Sequence, residues 1–243
     1  QAGTSGWPVP AQLWLAQAGS EGGEGGEAGA VAPAADDTVE LLTRLTKIEA
    51  HILTGLDLMA AGDKAGAEAQ LATPKAELYE TIEAALLAHK APAFEDRLEA
   101  LTTVAKSAVK PEDLAVAHQA VQEGIEAARV AIAPSAADEL AAVLALTRES
   151  AEDFTAGVKD GKIAELGEYQ DARAYLLAAR PVLTRLAGSD DAKVKQAADS
   201  SAAALDEVIA AMPEVVPTGE IAADEGLILS AAAKVELASY QVK

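Results

Sequence analysis

Residues 149–180, ESAEDFTAGVKDGKIAELGEYQDARAYLLAAR, decide the fold. Up to Val158 this stretch is rich in good helix formers, chiefly Ala, Leu and Glu. Asp160-Gly161 then supplies two residues that tolerate left-handed backbone, a common way to stop a helix. Glu165 and Glu168 fall early in the next helix, where acidic groups complement the positive end of the dipole. Leu166, Tyr169, Ala172, Arg173 and Leu176 follow at three- and four-residue spacing and form one face. Two helices joined by so short a turn lie antiparallel, so the stretch predicts a helical hairpin. Strands at this corner, or a helix running unbroken through Gly161, would contradict the prediction.

Working outward, the same pattern recurs. On the N-terminal side, Asp36-Asp37-Thr38 is a cap with an acidic first turn. Leu41, Leu45, Ile48, Ile52, Leu56 and Met59 make one apolar stripe as far as Ala61-Gly62. A short helix is expected over 65–71. Pro74 is expected to start another, carrying Leu78, Ile82 and Leu86 to His89-Lys90. Leu98, Leu101 and Val104 form a third stripe, and Lys110-Pro111-Glu112-Asp113 opens a fourth helix that runs to Pro134. On the C-terminal side, Ser135 is a cap, and helices are expected near 136–158, 164–187, 191–212 and 219–241. The halves align as a duplication. Glu40-Leu41 pairs with Glu139-Leu140, Gly62 falls opposite Gly161, and Glu77-x-Tyr79 matches Glu168-Tyr169.

Residues 1–35 read differently. EGGEGGEAG at 21–29 is a flexible acidic linker by composition. Both tryptophans, Trp7 and Trp14, lie in this arm, where they are either a partner-docking element or part of a disordered tail. The apolar run AQLWLAQA at 11–18 has the small-residue end of an export signal, and Gln1 in place of Met is what a processed chain would show.

Composition narrows the function. The chain of 243 residues carries 39 acidic and 19 basic side chains, a formal charge of −20, which argues against nucleic-acid binding and against adsorption to an anionic membrane. Half the residues are hydrophobic but only 3% are aromatic, as in closely packed Ala-rich helices. The absence of cysteine excludes disulfides, thiolate metal sites, iron–sulfur clusters and c-type haem attachment. No apolar run reaches the roughly eighteen residues of a membrane-spanning helix.

Several groups remain that suit a metal ion. Glu149, Glu152 and Asp153, with Glu165, Glu168 and Asp171, place carboxylates along both arms of the hairpin. Oxygen ligands of this kind suit a hard cation such as iron, and they equally suit a solvated helix face partnered by Lys159, Lys162 and Arg173. His51 and His118 fall in the same half and would serve as paired ligands to haem or to a metal such as an iron or copper ion if they faced one another. Glu-x-x-His, the signature of a di-iron bundle, is absent, because Ile48, Leu86 and Ala115 precede the three histidines. No serine elbow, phosphate loop or dinucleotide fingerprint occurs, so an enzyme is not expected.

The run from Phe154 through Asp160-Gly161-Lys162 to Glu168-Tyr169 resembles the periplasmic helical region of the bacterial iron permease family. There an aromatic-containing helix ends in a Val-x-Asp-Gly-x-Val type turn and a Glu-Tyr pair opens the next helix. Val158, Asp160, Gly161, Ile163, Glu168 and Tyr169 fill those places here. The resemblance spans roughly thirty residues. It implies a soluble relative of an accessory region linked to iron handling. The permease's membrane domain, with the acidic Arg-Glu-x-x-Glu type motif that carries iron there, is expected to have no counterpart.

Together these observations predict an all-α protein. Two tandem antiparallel helical bundles, 36–134 and 135–243, follow a flexible arm over 1–35. The expected function is that of an exported, periplasmic, non-enzymatic accessory or binding protein connected to iron or another metal, with a protein partner. The alternative is a structural or interaction subunit of an envelope-associated assembly, docking through its arm.

Overall fold

Each helix begins and ends where the local chemistry requires. In a computed structural model, which describes residues 37–107 and 110–242, α1 covers Thr38–Ala61. Its cap is Asp37, whose carboxylate accepts from the Glu40 amide at 3.1 Å. Gly62, at φ 87°, ends it in the left-handed region. Asp63 then caps α2, Lys64–Thr73, by accepting from the Gly66 amide at 2.9 Å. Further on are α3 (Glu80–Ala88), α4 (Glu95–Lys106) and α5 (Pro111–Ile132), the last with proline at its first position. Ser135 opens α6, Ala136–Gly157, through a reciprocal capping box with Asp138. The remaining helices are α7 (Leu166–Ala187), α8 (Ala192–Ala211) and α9 (Glu225–Ser239).

The fold is all-α, as the periodicity predicts, and three details differ. First, Pro74 does not start a new helix. The chain runs helically from α2 through a π-helical turn, Pro74–Tyr79, into α3. Proline has no N–H for the carbonyl four residues back, and a widened turn takes up the missing bond. Second, the Asp160-Gly161 corner carries a minimal antiparallel ladder, β1 (Val158–Lys159) against β2 (Lys162–Ile163). Asp160 at φ 53° and Gly161 at φ 70° form the two-residue turn with both central residues left-handed that such a ladder favours. Strands at this corner contradict a plain helical break, and the prediction is corrected on that point: the reversal is a two-residue ladder that delays α7 to Leu166, with the helices on either side still packed as a hairpin. Third, residues 213–224 are not a mere break. They return across the bundle in irregular conformation, burying Ile221 and Ala223, and α9 starts only at Glu225.

In the C-terminal part, α6 packs on α7 and α9, and α8 packs on α7 and α9, closing a four-helix ring. Its core is Leu140, Leu146, Phe154, Leu176, Leu183, Leu205, Val208, Ile228 and Val235, with many buried alanines. Small side chains let the helices approach closely. The extreme case is Gly157, where a Cβ would stand 2.5 Å from the Tyr169 amide nitrogen. A second apolar cluster joins α1 to α5 around Leu41, Leu45, Ile48, Ile52, Tyr79, Phe94, Leu101 and Val121. The one stripe expected on α1 faces this second cluster, and α1 also buries a further face. Arg44, Lys47, Ala50 and Thr54 are buried as well, and α1 lies against α6 and α7. The described residues form one compact unit, with α1 lying between its two apolar clusters.

Candidate functional site

The second face of α1 is where charge is concentrated. Lys47 is only 8% exposed, yet its ammonium is well partnered. It lies 2.5 Å from Glu149 Oε1 on α6 and 5.3 Å from the centre of the Tyr175 ring on α7. One turn on, His51 Nδ1 meets Gln70 Oε1 of α2 at 2.8 Å and stands 3.8 Å from Asp171 Oδ1 of α7. Next along, Asp57 receives Arg173 Nη1 at 2.7 Å, while Arg173 Nε donates to the Met212 carbonyl at 3.0 Å. This spacing along α1 aligns it antiparallel to α7 and tethers it to the chain leaving α8.

The hairpin's carboxylates converge on this seam. Asp153 is partly buried on α6, and its carboxyl is pushed up to about 8. Burial is the main cause, reinforced by the negative charges of Glu149, Glu168 and Asp171 and opposed by Lys47. A proton on Asp153 is therefore favoured near neutrality, because burial and three neighbouring negative charges outweigh the one ammonium.

The residues expected to hold a metal divide accordingly. Glu149, Asp153 and Glu168 are brought to the seam, whereas Glu152 and Glu165 are exposed. His51 and His118 have different partners. His118 Nε2 meets Glu49 Oε1 at 2.9 Å on the opposite side of α1 from the seam. Among the described residues, no three His, Asp or Glu side chains are grouped so as to hold a metal ion. Trp7 and Trp14 lie outside the described residues. Lys47 is the residue of the seam that periodicity misses, since a lysine beside an apolar stripe reads as solvent-facing. Its only signal is the four-residue spacing to His51.

Arg148-Glu149-Ser150-Ala151-Glu152 spells Arg-Glu-x-x-Glu, so the expectation of no counterpart does not hold for the motif. Its charged groups nevertheless diverge here. Arg148 Nη2 donates to Glu236 at 2.9 Å, Glu149 takes Lys47, and Glu152 is exposed. Ser150 Oγ donates across to the Ala172 carbonyl at 2.7 Å, fixing α6 on α7.

The corner is held just as firmly. Gly157 O accepts from the amides of Ala164 and Glu165, and the Ile221 amide donates to Gly161 O at 2.9 Å. Tyr169, 1% exposed, donates through its hydroxyl to the Glu214 carbonyl at 2.8 Å. Thus the Val-x-Asp-Gly-x-Ile turn and the Glu-Tyr pair are the points at which the hairpin is pinned to the segment over 213–224.

That ring has a counterpart among known families. Residues 133–242 match the iron permease-associated 4-helix bundle domain. The match takes in α6 to α9 entire and stops short of the helices before them. It extends the resemblance read at the Asp-Gly corner to the whole ring. No curated protein and no solved structure matches the chain. Among the described residues, no helix is long and apolar enough to cross a membrane.

Proposed function

We propose that the protein is an exported, non-enzymatic accessory module of an iron- or other metal-handling system, working with a protein partner. The observation that carries this reading is the match of α6–α9 to the iron permease-associated domain. The seam is acidic, since Glu149, Glu168 and Asp171 each act on Asp153 through their charge, and carboxylate oxygen is the chemistry hard cations prefer, although among the described residues no three of these groups stand together as a ligand set. Lys47 occupies that seam and supplies a positive charge of the protein's own. A metal ion held there would displace the ammonium and the proton on Asp153, so its binding would strengthen as pH rises. Among the described residues, His51 and His118 are bonded to Gln70 and Glu49 and not to a serine, which is in keeping with a non-enzymatic role.

Calorimetric titration of the full chain with ferrous, ferric and cupric ions tests the metal part. Binding tighter than about 1 mM that weakens on Glu149→Gln or Glu168→Gln is expected. No binding at that level, together with no effect of either substitution, would remove it.

A further inference from the structure

On the side of α1 away from the carboxylate seam, α1, α5 and α7 enclose a cleft of about 130 Å³. Its lining includes Thr46, Glu49, Gln122, Arg129, Pro181 and Arg185. Arg129 is 7% exposed, and only one of its hydrogen bonds is made within the protein, from Nη2 to Thr46 Oγ1 at 2.6 Å. Among the described residues it makes no ion pair within 4 Å, and two of the nearby acids, Glu126 and Glu139, face Arg185 instead. Arg185 takes Glu139 and lies 3.7 Å from Glu126. Glu49 Oε1 accepts from His118 and from Gln122, each at 2.9 Å. The remaining N–H groups of Arg129 are not among the buried unpartnered atoms, and Arg129 lines the cleft, where an acceptor can meet them.

The same cleft holds a complementary acceptor. Glu49 Oε2 is buried and has no donor. Glu49 lies three residues beyond Thr46 on α1, so the unmatched acceptor sits one helical turn from the hydroxyl that Arg129 holds. Basic and acidic side chains are nearly balanced around the cleft, so neither a net anion nor a net cation is favoured. A molecule carrying both charges matches Arg129 and Glu49 Oε2 at once.

We propose that this cleft binds a compact zwitterion of the amino-carboxylate class. Its carboxylate is taken by the Arg129 fork, in the planar geometry that arginine offers and lysine does not, and its ammonium donates to Glu49 Oε2. The cleft's volume restricts it to the smallest members. The inference stands apart from the metal-handling reading, and either can fail without the other.

The test uses the full chain with glycine and L-alanine as probes, read by saturation-transfer NMR and thermal shift. Acetate, methylammonium and L-leucine serve as comparisons. Glycine and alanine are expected to bind with a Kd of about 1 mM or tighter. The three comparison compounds should bind at least about tenfold more weakly, and Glu49→Gln or Arg129→Lys should weaken glycine by about tenfold or more. Should Arg129→Lys fail to fold, Glu49→Gln decides, because it keeps Oε1 for His118 and Gln122 and removes only the ammonium acceptor. No binding of glycine or alanine would overturn the proposal. So would acetate binding as tightly as glycine, or glycine binding unchanged in Glu49→Gln.

Discussion

The corner after α1 and the corner after α6 both reverse a helix with one aspartate and one glycine, in opposite order. Gly62-Asp63 divides the work between two helices. Glycine takes the left-handed position that ends α1, and aspartate caps the start of α2. Nothing lies within 4 Å of where a Gly62 Cβ would be. Asp160-Gly161 instead puts both residues in the left-handed region, closes a two-residue ladder, and receives the Ile221 amide. The duplication proposed from the sequence sets Gly62 opposite Gly161, and the two share a positive φ while doing different work. Residue order, beyond composition, decides whether a corner is an open cap or a docked turn.

The sharpest way to break this contrast is to add a methyl group on each side. Gly157→Ala places a Cβ 2.5 Å from the Tyr169 amide and 3.0 Å from the Glu165 carbonyl oxygen, both backbone, so the start of α7 must shift. We expect a loss of about 3 kcal/mol or more in chemical denaturation. Gly62→Ala meets open space and is charged only for its left-handed backbone, about 1 kcal/mol. Equal losses would mean that the second corner is no more docked than the first.

The carboxylate seam gives an effect of intermediate size, with a sign fixed by linkage. Asp153 has a folded-state value of about 8 against an ordinary 3.8, so the folded chain holds a proton that the unfolded chain releases. Its contribution is fully present below about pH 4 and is lost as pH rises to about 8, with a slope approaching 1.4 kcal/mol per pH unit. Asp153→Asn should flatten that slope and raise stability at pH 7 by on the order of 2 kcal/mol. Denaturation curves between pH 4 and 9 check this, and an unchanged slope would place Asp153 in solvent.

Much of the fold was legible because helix ends are written locally. Ser135 with Asp138, Pro111 at a first position and the Asp-Gly pair each determine their own neighbourhood. Pro74 misled because its usual place is a helix start, whereas here the turn it begins is packed on α1 and α4 and the chain stays helical through it. The ladder at 158–163 was hidden because two residues per strand leave no alternation to read. At the candidate site the hairpin's acids were visible as a set. Which of them turn inward was not, because that depends on Lys47, a residue more than a hundred positions away in sequence. Arg129 and Thr46 were invisible for the same reason, since their bond joins α5 to a face of α1 that shows no apolar periodicity.

The central claim is that α1 joins the two apolar clusters through Lys47 and the hairpin carboxylates. A double-mutant cycle on the full chain, Lys47→Met with Glu149→Gln, tests it by chemical denaturation. The account predicts a single cooperative transition and a coupling of about 1–3 kcal/mol between the two positions. Two separate transitions, with the later one indifferent to Lys47→Met and the coupling near zero, would contradict it.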